Sequence, residues 1–554
     1  MMNDTTARPT LRDLLKSGEF LYGAELVTTR GAVPPGSKDK LVALGEGFAS
    51  NPRISWISVT DNPGGSPMTP ADVVGRYFQD RKEVVIHLTC KDMNRNGVES
   101  AAWRCASSGF TNFLALSGDF PSGGYRGAAA GTFDLDSVTL ISLLRGMGEG
   151  LKVPGRKGDI ETLPPTGFFT GCAVSPFKAL ESELVPQYLK LLRKIAAGAE
   201  YVIPQLGYDM RKFQEIMLFL AMNNVKVPVI GNVYVLNKTV AGMFNRNLFP
   251  GCVVSDELLA LAVKYAAGPD KGKAFFTELA AKQIAVFKGL GFAGGYIAGL
   301  AKPEPFAEIV ALAESYGADD WKAFAKEIQF PKKNEFYLFE KDPATGLGIP
   351  GRLDAGYLER TKRRASGPNV TLGYRGSRLT HSVLFTREKG LFGPMRSLFG
   401  FLDKRKGLMK GVHGIEHLGK FVMFGCQDCG DCSLPDIAYL CPMSACSKNE
   451  RNGPCGGSHD GTCEVGEKQC IWVRGYERLR RFGEVDQVLR APIVFYNPAL
   501  LGTSSWANTY LGRDHSAPPA PPAAETAPKP ASGSTAGPVA PMPHPPIAPG
   551  SAPK

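Results

Sequence analysis

Before residue 426 this chain has only four cysteines, at positions 90, 105, 172 and 252. It has no run of 18 apolar residues, which excludes a membrane-spanning helix. Its opening, "MMNDTTARPTLRDLLKSGEF", lacks the apolar stretch of a secretory signal. A reducing, cytoplasmic home is therefore expected, where dense cysteines serve as metal ligands more often than as disulfides. The end, "SAPPAPPAAETAPKPASGSTAGPVAPMPHPPIAPGSAPK" (516–554), has almost no large apolar residue. It cannot offset the entropy of ordering, so a disordered Pro/Ala-rich tail is expected there. One apparent motif also falls away. "GLGIPG" (346–351) fits G-x-G-x-x-G, but no strand precedes it and a proline interrupts it, so it is no dinucleotide turn.

What is present is a soluble-protein composition, 43% hydrophobic and 21% charged, in a chain of 554 residues, long enough for two or three domains. The net charge of +11 is concentrated in one segment. Between Glu359 and Lys420 there are 14 Lys plus Arg against 4 Asp plus Glu, a net of +10. Such a strip favours an anionic partner: an acidic electron carrier, a polyglutamate tail, nucleic acid or a lipid surface. A solvated connector explains it equally well.

From residue 20 to about 300, eight short apolar runs alternate with amphipathic stretches. They read "LYGAELVTT", "ISWISVTD", "EVVIHLTC", "NFLALSGD", "GFFTGCAVS", "YVIPQLGYD", "PVIGNVYVL" and "GGYIAG". Runs this continuously apolar fit parallel strands buried on both faces, and eight such units fit an α/β (β/α)8 TIM barrel. The expected organisation is an N-terminal arm (1–15), a barrel (16–315), a basic connector (316–420), a small cysteine-rich metal-binding domain (421–500) and the tail. In such a barrel the chemistry lies at the carboxyl ends of the strands. Those ends carry Glu25, Thr60, Asp61, His87, Thr89, Asp119, Gln205, Asp209 and Asn232. Any one of them is more simply a helix cap or a satisfied strand end; several converging on one face make a site.

The stretch "IHLTCKDMNRNGVESAAWRCASSGFTNFLALSGDFP" (86–121), together with "AELV" followed by "PP", "ISVTDNPGG" and "LRKIAAGAEYVIPQLGYD", resembles the methylenetetrahydrofolate reductase family over roughly residues 15–310. The resemblance implies a flavin-containing barrel, with FAD or FMN, that reduces 5,10-methylenetetrahydrofolate to 5-methyltetrahydrofolate or runs the reverse. It implies Glu25 as general acid at the folate N10 and Asp119 beside flavin and pterin. Gln205 would bind the pterin. Thr60, His87 and Thr89 would line the flavin, with Arg193 and Lys194 near its phosphate. The family's "FEFFPP" is here "AELVTTRGAVPP", and Thr239 stands where the family commonly places an aromatic residue. The hydride donor is therefore open: NAD(P)H or a ferredoxin-like electron carrier. The implied partners also include tetrahydrofolate derivatives and leave a homo-oligomer open, with no nucleic acid and no membrane span.

Eight cysteines then crowd into the segment from Cys426 to Cys470: Cys426, Cys429, Cys432, Cys441, Cys446, Cys455, Cys463 and Cys470. C-x2-C-x2-C with a distal "CP" follows the spacing of iron–sulfur loops, although eight residues separate Cys432 from Cys441 where bacterial ferredoxins use three. One or more [4Fe-4S] clusters are expected, with zinc as the alternative, since no second C-x2-C follows. His413, His417 and His459 are possible further ligands. "NGPCGGSHDGTCEVGEKQC" resembles the carboxy-terminal module of the same family, which in acetogens is a separate iron–sulfur partner subunit feeding electrons to the barrel. Two other readings stand beside the reductase. One is a folate-dependent methyltransferase barrel whose metal activates a thiol; the other is a cysteine module that serves as a purely structural docking platform.

Overall fold

All eight apolar runs form strands, and the strands are parallel. In the computed structural model, which describes residues 8–517 apart from 35–38, 157–158, 363–366 and 388–389, they are β1 (Leu21–Leu26), β2 (Trp56–Val59), β3 (Glu83–Thr89), β4 (Asn112–Leu116), β5 (Phe169–Val174), β6 (Tyr201–Pro204), β7 (Ile230–Tyr234) and β8 (Gly294–Ala298). Their order is β6–β5–β4–β3–β2–β1–β8–β7, and a parallel bridge from Val202 to Val229 brings the two ends together. The result is a nearly closed (β/α)8 barrel. Branched and aromatic side chains dominate the strands because both faces are covered, one by helices and one by the barrel interior.

The amino-terminal floor of the barrel is filled by large rings. Trp56, Phe169, Tyr201 and Tyr296 pack there with Leu11 and Leu15 of α1 (Leu11–Lys16), a short helix started by a Thr10–Asp13 capping box. Gly23 makes room for this layer: a Cβ there would sit 2.1 Å from the Trp56 ring. "GLGIPG" runs into the second strand of an antiparallel hairpin (Phe339–Lys341 with Gly348–Leu353), a setting with no phosphate-binding turn.

The barrel helix α2 (Glu181–Ala197) would ordinarily show one face to water. Here nearly all of it is buried, including Glu181, Glu183, Gln187, Lys190, Arg193 and Lys194. The cysteine-rich module lies over it, led by α6 (Ile471–Phe482). Lys190 pairs with Glu450 at 2.6 Å, each with a side chain only 1% exposed. Glu181 accepts from Tyr476 at 2.7 Å and from Arg480 at 2.8 Å. Breaking a buried pair strands one charge in a medium that cannot solvate it, at a cost of about 3–5 kcal/mol. Lys190→Met should therefore lower unfolding stability by about that amount in a denaturant titration, and Lys190→Met with Glu450→Met should recover most of it.

The basic segment is helical where it is described: α3 (Leu372–Leu384), α4 (Phe392–Asp403) and α5 (Lys406–Phe424). α4 and α5 pack against α7 (Ser505–Leu511) around Phe399, Ala507 and Tyr510. The chain then turns back to the first cysteine loop. His515 Nε2 lies 2.9 Å from Asp436, and its Nδ1 contacts Asp431. Ser516 hydrogen-bonds Asp514 at 2.8 Å, so the folded part runs past the expected start of the tail. Residues 518–554 lie outside those described.

Burial works against a charge on His515, but the two carboxylates outweigh it and push its pKa up to about 10. The stabilisation is then complete below the unfolded pKa of about 6.5 and is lost as pH rises through about 10. The stability difference between wild type and His515→Gln should shrink across that window; a difference flat with pH would refute the ion pair.

Candidate active site

The carboxyl ends of the strands enclose a cavity of about 310 Å³. Glu25, Thr60, Asp61, His87, Thr89, Asp119, Lys194, Gln205 and Asn232 all line it. Strand alternation explains the convergence, because the last inward position of each strand opens upward instead of into the packed floor.

Glu25 ends β1, and its Oε2 accepts a 2.7 Å hydrogen bond from the Tyr296 hydroxyl of the adjoining β8. It keeps an edge on the cavity, yet protein surrounds the carboxyl. Burial raises its pKa above the ordinary glutamate value, and the Tyr296 bond opposes this only in part. Asp61 is raised in the same way, although Thr89 donates to it from its backbone N–H at 3.0 Å and from its hydroxyl at 2.7 Å. Burial pushes His87 down to about 4, so its imidazole is neutral. Asp119 Oδ2 accepts from the Gly64 N–H at 2.8 Å, and Gln205 Oε1 accepts from the Leu206 N–H at 2.9 Å.

Four buried polar atoms on this wall make no hydrogen bond among the described residues: His87 Nε2, Ser137 Oγ, Ser175 Oγ and Asn232 Oδ1. Leaving each without a partner costs about 1–3 kcal/mol. Such a cluster suits a ligand with polar edges, and a flavin ring carries donors and acceptors of that kind.

Two of the residues expected at the site are placed elsewhere. Arg193 is not at the cavity; its guanidinium faces the cysteine module, donating to Val488 O at 2.6 Å, Asn452 Oδ1 at 2.9 Å and Pro492 O at 2.8 Å. It sits one position from Lys194 on a helix, which turns the two side chains about 100° apart. Lys194 does reach the cavity, donating to Ala173 O at 2.6 Å, and burial lowers its pKa to about 8. Asp209 caps the next helix through the Arg211 N–H at 2.9 Å and does not line the cavity. Thr239 is exposed.

The other wall of the cavity is the cysteine module itself: Lys448, Cys455, Gly456, Gly457 and Glu464. Lys448 donates to Gly118 O at 2.7 Å and pairs with Glu464 at 2.5 Å. Lys178 donates to Gly456 O at 2.5 Å and Ser458 O at 2.6 Å. The glycines of "NGPCGG" permit this approach. A Cβ on Gly453 (φ +130°) would strike the Lys190 chain at 2.7 Å, and one on Gly457 would strike the Glu464 carboxyl at 2.1 Å. Lys448 and Glu464 are not among the residues expected from the sequence, although the nearby "NGPCGG" was the available signal, and Cys455 is expected there only as a metal ligand.

The eight thiols fall into two sets of four. Cys446, Cys455, Cys463 and Cys470 line one small cavity, and Cys455 lines the barrel cavity as well. Cys426 and Cys429 are each within electrostatic reach of Cys432 and Cys441. Backbone N–H groups point at four sulfurs: Asp428 to Cys426 at 3.4 Å, Glu450 to Cys446 at 3.5 Å, Gly457 to Cys455 at 3.5 Å and Val465 to Cys463 at 3.4 Å. Donors of this kind stabilise thiolate. Among the described residues no three His, Cys, Asp or Glu form a group that could hold a metal ion. Two of the three candidate histidines pair with carboxylates, His413 with Asp428 at 2.8 Å and His459 with Asp460 at 2.9 Å.

A family model described as "Methylenetetrahydrofolate reductase" matches residues 10–309, and one described as "Methylene-tetrahydrofolate reductase C terminal" matches 406–495. A probable methylenetetrahydrofolate reductase (NADH) of Oryza sativa subsp. japonica and methylenetetrahydrofolate reductase (NADH) 1 of Zea mays are each 28% identical over 204 residues, 36% of this chain. The chain spans about a third of the length of these curated relatives, 32% in both cases. A solved Clostridium thermocellum protein that binds two copies of 5-methyl-5,6,7,8-tetrahydrofolic acid matches at 12% identity over 55% of this chain and 96% of its own, with a TM-score of 0.38.

Proposed function

The chain belongs to the methylenetetrahydrofolate reductase family, and from that premise we propose that it interconverts 5,10-methylenetetrahydrofolate and 5-methyltetrahydrofolate with a bound flavin. The observation that carries this reading is Glu25, a carboxyl buried at a strand end in the same cavity as Asp119 and Gln205. Opening the imidazolidine ring needs a proton at N10, and only a carboxyl kept protonated near neutral pH supplies one. Burial raises the pKa of Glu25, the direction such an acid needs, and the Tyr296 hydroxyl holds its orientation. Gln205 would bind the pterin through its side-chain amide, and Asp119 would stand beside it. Thr60, His87, Thr89 and Lys194 would hold the flavin, with His87 neutral. When bound, the flavin supplies hydride acceptance and donation.

In the same proposal the two thiol sets, Cys426/Cys429/Cys432/Cys441 and Cys446/Cys455/Cys463/Cys470, would hold iron–sulfur clusters that pass electrons between a carrier and the barrel. What supports this is Cys455, which belongs to one set and borders the barrel cavity. The test is anaerobic mixing of flavin-loaded protein with 5-methyltetrahydrofolate. Bleaching near about 450 nm is expected. No bleaching from a flavin that dithionite still reduces would reject the folate reading.

A further inference from the structure

The two helices preceding Cys426 carry a run of exposed large apolar side chains. On α5, Leu408 is 54% exposed, Ile415 73%, Leu418 65%, Phe421 56%, Val422 77% and Met423 57%. Leu408, Ile415 and Val422 recur every seven residues with Leu418 between them, so they form one stripe along the helix. α4 adds Leu398 and Phe401, at 47% and 52%. Apolar surface on this scale marks an interaction site. The opposite face is fixed: Met409 and Val412 pack toward Tyr510, and the buried Glu416 accepts from the Ser505 hydroxyl at 2.7 Å and the Trp506 N–H at 3.1 Å. The stripe is thus held outward.

The free charges of these two helices are of one sign. Arg396, Lys404, Arg405, Lys406 and Lys410 are exposed, while the acids of these helices are engaged, Asp403 with Arg513 at 2.6 Å and Glu416 inside. A second copy docked face to face would oppose cations with cations. The exposed residues of α5 are lysine, glycine and large apolar side chains, and nothing else. A protein partner ordinarily finds about one hydrogen bond per 100–200 Å² of interface, and none of the exposed side chains of α5 is a neutral donor or acceptor, its two histidines being half-buried. A bilayer asks only for apolar depth and a cationic rim.

We propose that α4 and α5 form a docking face for an anionic lipid bilayer, with α5 lying in the interfacial plane. No described helix is long and apolar enough to cross a membrane, so the contact is peripheral. Cys426 follows α5 by two residues, which places the first thiol set beside that plane. The inference stands on the surface alone and is independent of the redox reading.

The full chain should co-sediment with phosphatidylcholine vesicles containing about 30% phosphatidylglycerol, and far less with phosphatidylcholine alone. Salt at about 0.5 M should weaken binding, since it screens the rim but not the stripe. Ile415→Glu with Leu418→Glu should reduce vesicle binding at least about tenfold. Its melting temperature should be unchanged, because both side chains are already exposed. Lys404→Glu, Lys406→Glu and Lys410→Glu together should cost about fivefold or more per charge. Equal binding by wild type and the stripe variant, or no binding to either vesicle, would overturn the proposal. So would a wild-type dimer in analytical ultracentrifugation that the stripe variant converts to monomer, for then a second copy covers the face.

Discussion

Glu25→Gln slows folate turnover by about 10² or more, the usual scale for loss of a general acid, while donor-driven reduction of the flavin stays near normal. Glutamine keeps the size and can still accept from Tyr296, so the cavity wall survives. What it loses is the transferable proton. In the wild type the active form is the protonated carboxyl, so the folate half-reaction should fall as pH rises through the raised pKa of Glu25. That limb should vanish in Glu25→Gln. Stopped-flow measurement of the two half-reactions separates the outcomes, and equal loss in both would reject Glu25 as the acid.

Cys429→Ser with Cys432→Ser abolishes flavin reduction by a one-electron donor such as reduced viologen. Both thiols belong to the set farther from the cavity wall, so Glu25, Asp119 and Gln205 keep their places and oxidation of 5-methyltetrahydrofolate by the flavin should survive. Serine offers no thiolate, and metal binding is coupled to folding, so flavin content must be measured first. Wild-type protein containing zinc alone would make the thiols structural and reject the relay. Unchanged viologen reduction in the variant would do the same.

The barrel was legible because its evidence is local and repeated: eight apolar runs, most of them ended by a polar residue, need only the parallel-sheet pattern to be placed. Glu25, His87 and Gln205 followed from that register. Arg193 did not, because a charged residue on a barrel helix reads as solvent-facing or cofactor-facing until something else covers the helix. What covers α2 lies more than 250 positions away, as the Arg193–Asn452 bond shows. Lys448 and Glu464 were hidden for the same reason: the neighbouring "NGPCGG" marks the module but not that the module packs on the barrel. The grouping of the thiols was half visible. Spacing put Cys426, Cys429, Cys432 and Cys441 together, but the second set depends on how the "NGPCGG" loop turns against α2.

The split construction of the cavity also has a consequence in time. Its barrel half is complete once β8 and its helix have emerged from the ribosome, but its other wall ends at Glu464. At about 5–20 residues per second, the roughly 150 intervening residues take on the order of 8–30 s to synthesise. Through that interval the nascent barrel stands without the wall that Lys448, Cys455 and Gly457 later supply.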